Sequence, residues 1–137
     1  MDIAKGEMIM SKTVVETKNA PAAIGPYSQA WVCGNMLFTS GQLGIDPGTG
    51  ALPETVQAQT AQSLANIQAI LQEAGFQKTD VIKTVVFLKS MDDFAAINEL
   101  YASFFGSHKP ARSCVEVSRL PKGGLVEIEL VALRDER

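Results

Sequence analysis

Val81-Ile82-Lys83-Thr84-Val85-Val86-Phe87-Leu88 is the stretch on which the fold turns. It is near-continuously apolar and β-branched, as expected of a strand covered on both faces. Helical periodicity lies on either side of it. Upstream, Val56, Thr60, Leu64, Ile67, Leu71 and Ala74 recur at spacings of three and four, so they share one helix face. Gly75 then stands at a natural C′ position. Downstream, Ser90-Met91-Asp92-Asp93 offers capping groups for a second helix, with Phe94, Ile97, Tyr101 and Phe104 as its buried stripe.

Further out, both flanks read as strands. Thr13 to Thr17 is β-branched, and Asn19-Ala20-Pro21 and Gly25-Pro26 enclose a loop. Tyr27 to Cys33 and Met36 to Ser40 are β-like runs joined by Gly34-Asn35, a connection able to hold the positive φ values of a tight hairpin. Asp46-Pro47-Gly48-Thr49-Gly50 ends this region with turn chemistry. Beyond the second helix come Arg112 to Val117 and Leu125 to Leu133, joined by Leu120-Pro121-Lys122-Gly123-Gly124. The order strands, helix, strand, helix, strands predicts an α+β fold: a mixed β-sheet with two helices packed on one face. A single domain is expected over residues 10–137. Residues 1–9 lack a pattern, precede a start-like Met10-Ser11-Lys12, and are expected to be a disordered extension.

Composition narrows the function. With 137 residues, 46% of them hydrophobic, the chain supports one core without staples. Its formal net charge is −3 and its basic residues are scattered, so nothing suggests a nucleic-acid partner. Cys33 and Cys114 are far apart and suggest neither a disulfide framework nor a zinc site. The first residues mix both charge signs, and no apolar run approaches the ~20 residues of a membrane span. A cytoplasmic protein with no membrane contact is expected. Neither GxGxxG nor GxxxxGK[ST] occurs, so no nucleotide cofactor is indicated, and no other cofactor is expected.

His108 is the only histidine, which removes any multi-histidine metal site. A Ser-His-Asp or Cys-His unit would need it as base, yet its Gly-Ser-His-Lys-Pro setting reads as a surface loop. Catalysis would then rest on carboxylates, arginine, hydroxyls, backbone groups and water.

The closing strands carry such groups. Side chains alternate, so Arg112, Cys114 and Glu116 point one way and Ser113, Val115 and Val117 the other. In the last strand Val126, Ile128, Leu130 and Ala132 form an apolar face, with Glu127 and Glu129 together opposite it. The arginine and both carboxylates are expected on faces outside the helix-covered core. Two readings stay open: a solvated face with a surface ion pair, or a pocket in which Arg112 holds a small carboxylate and a glutamate handles a proton or water. Tyr27, after the Gly25-Pro26 turn, and Ser40-Gly41, where a glycine lets backbone amides approach a ligand, invite the same weighing.

Several words occur in order: Asn19 to Gln29 (NAPAAIGPYSQ), Ser40-Gly41-Gln42, Lys83 to Leu88 (KTVVFL), Pro110 to Val117 (PARSCVEV), Leu120-Pro121-Lys122-Gly123, and Val126-Glu127-Ile128-Glu129. Together they resemble the Rid/YjgF family, in particular its deaminase-active RidA branch, from about Met10 to about Arg134. The resemblance implies a fold like the small trimeric chorismate mutases, with three sheets packed into a central barrel and active sites in clefts between subunits. It implies hydrolysis of 2-imino acids (2-iminopropanoate, tautomer of 2-aminoacrylate, and 2-iminobutanoate) to 2-keto acids and ammonia. By motif, Arg112 would bind the substrate carboxylate and Glu127 would hold and activate the attacking water. Tyr27, Ser40 and Gly41 would line the pocket, and Cys114 would contribute mainly backbone groups. The choice of Glu127 over Glu129 rests on the resemblance, since alternation treats them alike. The loop before Pro110 is shorter than in some members, which bears on the cleft wall. Two other readings compete: a module that binds a 2-keto acid without turnover, and the ribonuclease or translation-inhibitor activity attached to some relatives.

Overall fold

The computed structural model of the chain describes residues 11–135. The extension read over residues 1–9 lies outside the described residues. Four short strands come first: β1 (Lys12–Val15), β2 (Ala30–Cys33), β3 (Met36–Thr39) and β4 (Gln42–Leu43). They are followed by α1 (Val56–Ala74), β5 (Val81–Leu88), α2 (Phe94–Phe105), β6 (Ala111–Glu116) and β7 (Val126–Leu133). One mixed sheet results, in the order β1-β2-β3-β7-β5-β6, with β4 also on β7. Only β5 and β6 run parallel, and α2 supplies the crossover that a parallel pair requires.

The apolar run from Val81 to Leu88 is β5, paired with β7 on one side and β6 on the other. Thr84, Val86 and Leu88 are buried beneath the helices together with Ile128, Leu130 and Ala132 of β7. Helix α1 starts where the Thr55 hydroxyl accepts from the Ala58 amide at 3.1 Å. It ends at Gly75, left-handed at φ 80°, with Arg134 Nη1 donating to the Ala74 and Gly75 carbonyls. Its apolar stripe, including Leu64, Ile67 and Leu71, closes the core.

The structure revises several expectations. Tyr27 to Gln29 is loop, and β2 begins at Ala30. In the β2–β3 hairpin only Gly34 takes a positive φ, 61°; Asn35 does not. On α2 it is Phe105 that is buried, while Phe104 lies at the rim with the Lys78 ammonium 4.0 Å from its ring. His108 is not a free loop residue. Its Nε2–H donates to the Val81 carbonyl at 2.7 Å and ties the loop to the start of β5.

Opposite the helices no described residue covers the sheet. Val14, Trp31, Phe38, Val115 and Leu133 are exposed there. Register puts them on one side: Val14 opposes Trp31, Trp31 opposes Phe38, and Phe38 opposes Val131.

Candidate functional site: two half-sites on opposite sheet faces

Between β3 and β4 the chain gains one residue on its partner. Phe38 opposes Val131 and Gln42 opposes Ile128, so four steps on one strand meet three on the other. This is a β-bulge at Thr39-Ser40-Gly41, a device that re-aims side chains at the end of a ladder. It brings Ser40 and Gly41 to the mouth of a cavity of about 760 Å³, with Glu127 at its wall and Tyr27, Ile24 and Pro47 around it. Tyr27, Ser40, Gly41 and Glu127, all named from the sequence, are therefore neighbours.

Within this half-site Ser40 Oγ donates to the Ser28 carbonyl at 2.6 Å. A Cβ on Gly41 would lie 2.7 Å from Glu127 Cδ and 3.0 Å from Oε2. The glycine is thus the slot into which the Glu127 carboxyl fits. Burial, and then the nearby Glu129 charge, push the Glu127 carboxyl above the usual carboxylate range. A carboxyl so tuned takes a proton more readily near neutral pH than an ordinary surface glutamate.

Four buried polar side chains brace the backbone in and around this cavity. Ser63 Oγ donates to the Gln42 carbonyl at 2.7 Å. Asn66 Nδ2 donates to the Leu43 and Ile45 carbonyls at 3.0 and 2.9 Å, and its Oδ1 accepts from Gln62. Gln59 joins the Pro53 carbonyl to the Leu125 amide. Gln29 gathers the Thr17, Ala20 and Pro21 carbonyls and accepts from the Thr17 amide.

Arg112 and Cys114 are elsewhere. Arg112 opposes Thr84 and Cys114 opposes Val86 across β5–β6, whereas Val86 opposes Ile128 and Phe87 opposes Glu127 across β5–β7. Opposed residues project to the same side. Arg112 and Cys114 therefore share the helix-covered face, and Glu127 and Glu129 take the other. This corrects the sequence expectation that the arginine lies outside the helix-covered core. Alternation orders residues within a strand, but its phase between strands comes from register, which the sequence does not print. β6 is an edge strand, so Arg112 and Cys114 are only half-buried beside α2.

There Arg112 Nη1 donates to Asn98 Oδ1 at 2.7 Å, and the guanidinium carbon sits 4.7 Å from the Tyr101 ring centroid and 5.4 Å from that of Phe94. No carboxylate among the described residues pairs with it. Burial raises the Cys114 thiol above its ordinary value against the opposing pull of Arg112, which keeps it protonated rather than nucleophilic. Asn98 was not legible as a site residue. Its one signal is a polar side chain next to the Phe94–Ile97–Tyr101 stripe, at i+4 from Phe94.

A small α+β protein with an arginine that meets no described carboxylate on one sheet face and a half-buried glutamate in a cleft on the other is a protein of divided polar sites. The chain belongs to the Rid/YjgF family: residues 17–134 match the family described as Endoribonuclease L-PSP. It is 54% identical over 128 residues to the 2-iminobutanoate/2-iminopropanoate deaminase of Salmonella typhimurium, covering 91% of this chain and 99% of that protein. The Escherichia coli K12 protein of the same name is 53% identical over the same share of each chain. Among solved structures, the Escherichia coli YjgF gene product superposes with a TM-score of 0.87 at 50% identity, covering 90% of this chain and 99% of that one. Escherichia coli TdcF with bound serine gives 0.87 at 48% identity, again over 90% and 99%. These matches establish the α+β fold with its mixed sheet and two helices.

Proposed function

We propose that the protein is a 2-imino acid deaminase, converting 2-iminopropanoate and 2-iminobutanoate to the 2-keto acids and ammonia at a site completed between copies of the chain. The observation that carries this reading is Arg112: a guanidinium with no carboxylate partner among the described residues, held by one amide and two ring faces. Such a group is a receptor for a small carboxylate through paired N–H donors. The names of the Salmonella typhimurium and Escherichia coli relatives support the chemistry.

A protonated imine carbon is already electrophilic, so orientation supplies much of the catalysis. Arg112 holds the carboxylate, and Glu127 of a second copy holds the water. Glu127 takes a proton as the water oxygen bonds to C2, giving a carbinolamine. It passes that proton to the amino group and accepts the hydroxyl proton as the C–N bond breaks, leaving the ketone and ammonia, and ammonia then takes the proton from Glu127 and departs as ammonium. Tyr27, Ser40 and Gly41 line the wall opposite, and Cys114 contributes backbone groups. The uncovered apolar sheet face supports a homotrimer in which each sheet is covered by its neighbours, because exposed patches of this kind mark association surfaces.

The test generates 2-iminobutanoate in situ from threonine with a separate dehydratase and traps the remaining imine with semicarbazide. Trace wild-type protein should suppress trapping, and Arg112→Ala should not. Equal trapping with and without protein, alongside measurable 2-oxobutanoate binding, would replace the enzyme by a binding module. Mixing inactive Arg112→Ala with inactive Glu127→Gln and re-forming the oligomer should restore activity at sites that receive both wild-type residues. No recovery would overturn the divided site.

A further inference from the structure

Phe94, Asn98 and Tyr101 stand at i, i+4 and i+7 of α2 and so share one face. All three meet Arg112. The contacts close a circuit. Thr84 is the ladder partner of Arg112, and its hydroxyl lies 2.7 Å from the Tyr101 hydroxyl. Thr84 is fully buried and Tyr101 is 8% exposed. The Thr84–Tyr101 hydrogen bond therefore braces, at its buried end, the packed ring over which the guanidinium carbon lies.

We propose that Tyr101, with Phe94 beside it, is a positioning residue for carboxylate capture: an aromatic bed that holds the Arg112 guanidinium so that its uncommitted N–H edge meets the substrate. The proposal rests on the deaminase reading for its substrate but on the geometry of α2 and β6 for its structure. A flexible arginine without an acidic partner would sample many rotamers. Two ring faces and one amide restrict it while leaving the remaining donors free, which an ion pair within the chain would not do. Cation–π attraction to desolvated rings is strong enough to matter. A purely structural stripe would need neither the charge over the rings nor a hydroxyl partner deep in the sheet.

The test measures KM and kcat on 2-iminobutanoate, Kd for 2-oxobutanoate by calorimetry, and Tm, for Tyr101→Leu, Tyr101→Phe and Phe94→Leu. Tyr101→Leu should raise KM and Kd together by about 5- to 30-fold, the range that loss of a desolvated cation–π contact gives. Tyr101→Phe, which keeps the ring, should recover most of that loss. Phe94 is half-buried and its guanidinium contact is longer, so Phe94→Leu should raise both constants by about 2- to 5-fold. This variant also decides the matter if Tyr101→Leu does not fold. Unchanged KM and Kd in both leucine variants, or a loss confined to kcat and Tm, would overturn the proposal. Weaker 2-oxobutanoate binding in the variants of a wild type that turns over no imine would instead sink the deaminase reading and keep the bed.

Discussion

The two half-sites are built on different physical terms. The Glu127 side is walled by backbone, at a bulge and along β4, and that backbone is fixed by amide and hydroxyl groups with no exposure to water. The Arg112 side is a single long side chain at a sheet edge, steered by ring faces and one amide oxygen. The difference teaches where each half can fail. Buried hydrogen bonds are expensive to leave unmade, so damage to the glutamate side should appear in stability as well as rate. Damage to the arginine side should appear in substrate capture while the fold stands.

The largest effect should come from Arg112 itself. On the proposed reading, Arg112→Ala removes two charge-assisted hydrogen bonds to the substrate, and kcat/KM should fall by about 10²- to 10⁴-fold. Arg112→Lys should recover little of this, because an ammonium offers a point charge and no planar fork. Melting temperature should change little, since Arg112 is only half-buried and has no ion pair among the described residues. A large drop in stability would break the contrast between the halves.

Asn66→Ala tests the other half. It strands the Leu43 and Ile45 carbonyls and should destabilise the protein by about 2–3 kcal/mol in thermal or denaturant melts. Since Leu43 and Ile45 line the cavity, kcat should fall with stability instead of staying level. Gly41→Ala sharpens the same point at smaller scale. The added methyl would sit 2.7 Å from Glu127 Cδ and must move the carboxyl. Turnover should drop by about 10- to 100-fold, in keeping with the sensitivity of positioned groups to displacements near 1 Å. Substrate affinity, which the proposed reading assigns to Arg112, should hardly move, and an equal loss in KM would place the two groups closer than proposed.

Much of this was legible in the sequence, for reasons that also mark its limits. The 3.6-residue period of Val56 to Ala74 and the run from Val81 to Leu88 are strong local signals, and both became the elements they predicted. Alternation paired Arg112 with Cys114 and Glu127 with Glu129 correctly. It could not show that the two pairs face opposite ways, because that depends on the β5–β6 and β5–β7 registers, set by contacts between distant segments. The bulge at Ser40-Gly41 and the two-residue β4 exist only against β7. Gln59, Ser63 and Asn66 are polar residues on a buried face, so hydrophobic pattern passes over them. Tyr101 was legible as core, and core it is; that Arg112 lies across it and reaches Asn98 depends on where β6 pairs.

The smallest effect expected is in the pH profile, and it separates the halves without moving an atom of the backbone. Glu127 is pushed up by burial first and by Glu129 second, and both act on its ionised form. As a base it must be ionised, so activity should fall on acidification at a higher pH than an ordinary carboxylate would give. Glu129→Gln removes the second cause and should move that acid limb to lower pH. The sign for stability is opposite to that of a salt-bridged acid. A carboxyl raised in the folded state binds its proton more tightly there than in the unfolded chain, so its contribution is greatest at low pH. That contribution declines as pH climbs from the ordinary carboxylate value through the raised one, and is level above it. Glu129→Gln should narrow this window and make the protein slightly more stable at neutral pH. Arg112→Lys, acting on the other face, should leave the acid limb where it is. Profiles of kcat/KM for the three proteins, with melts at pH 5 and pH 7, check the pair of signs. An acid limb that Arg112→Lys moves and Glu129→Gln does not would assign the titrating group to the arginine side instead.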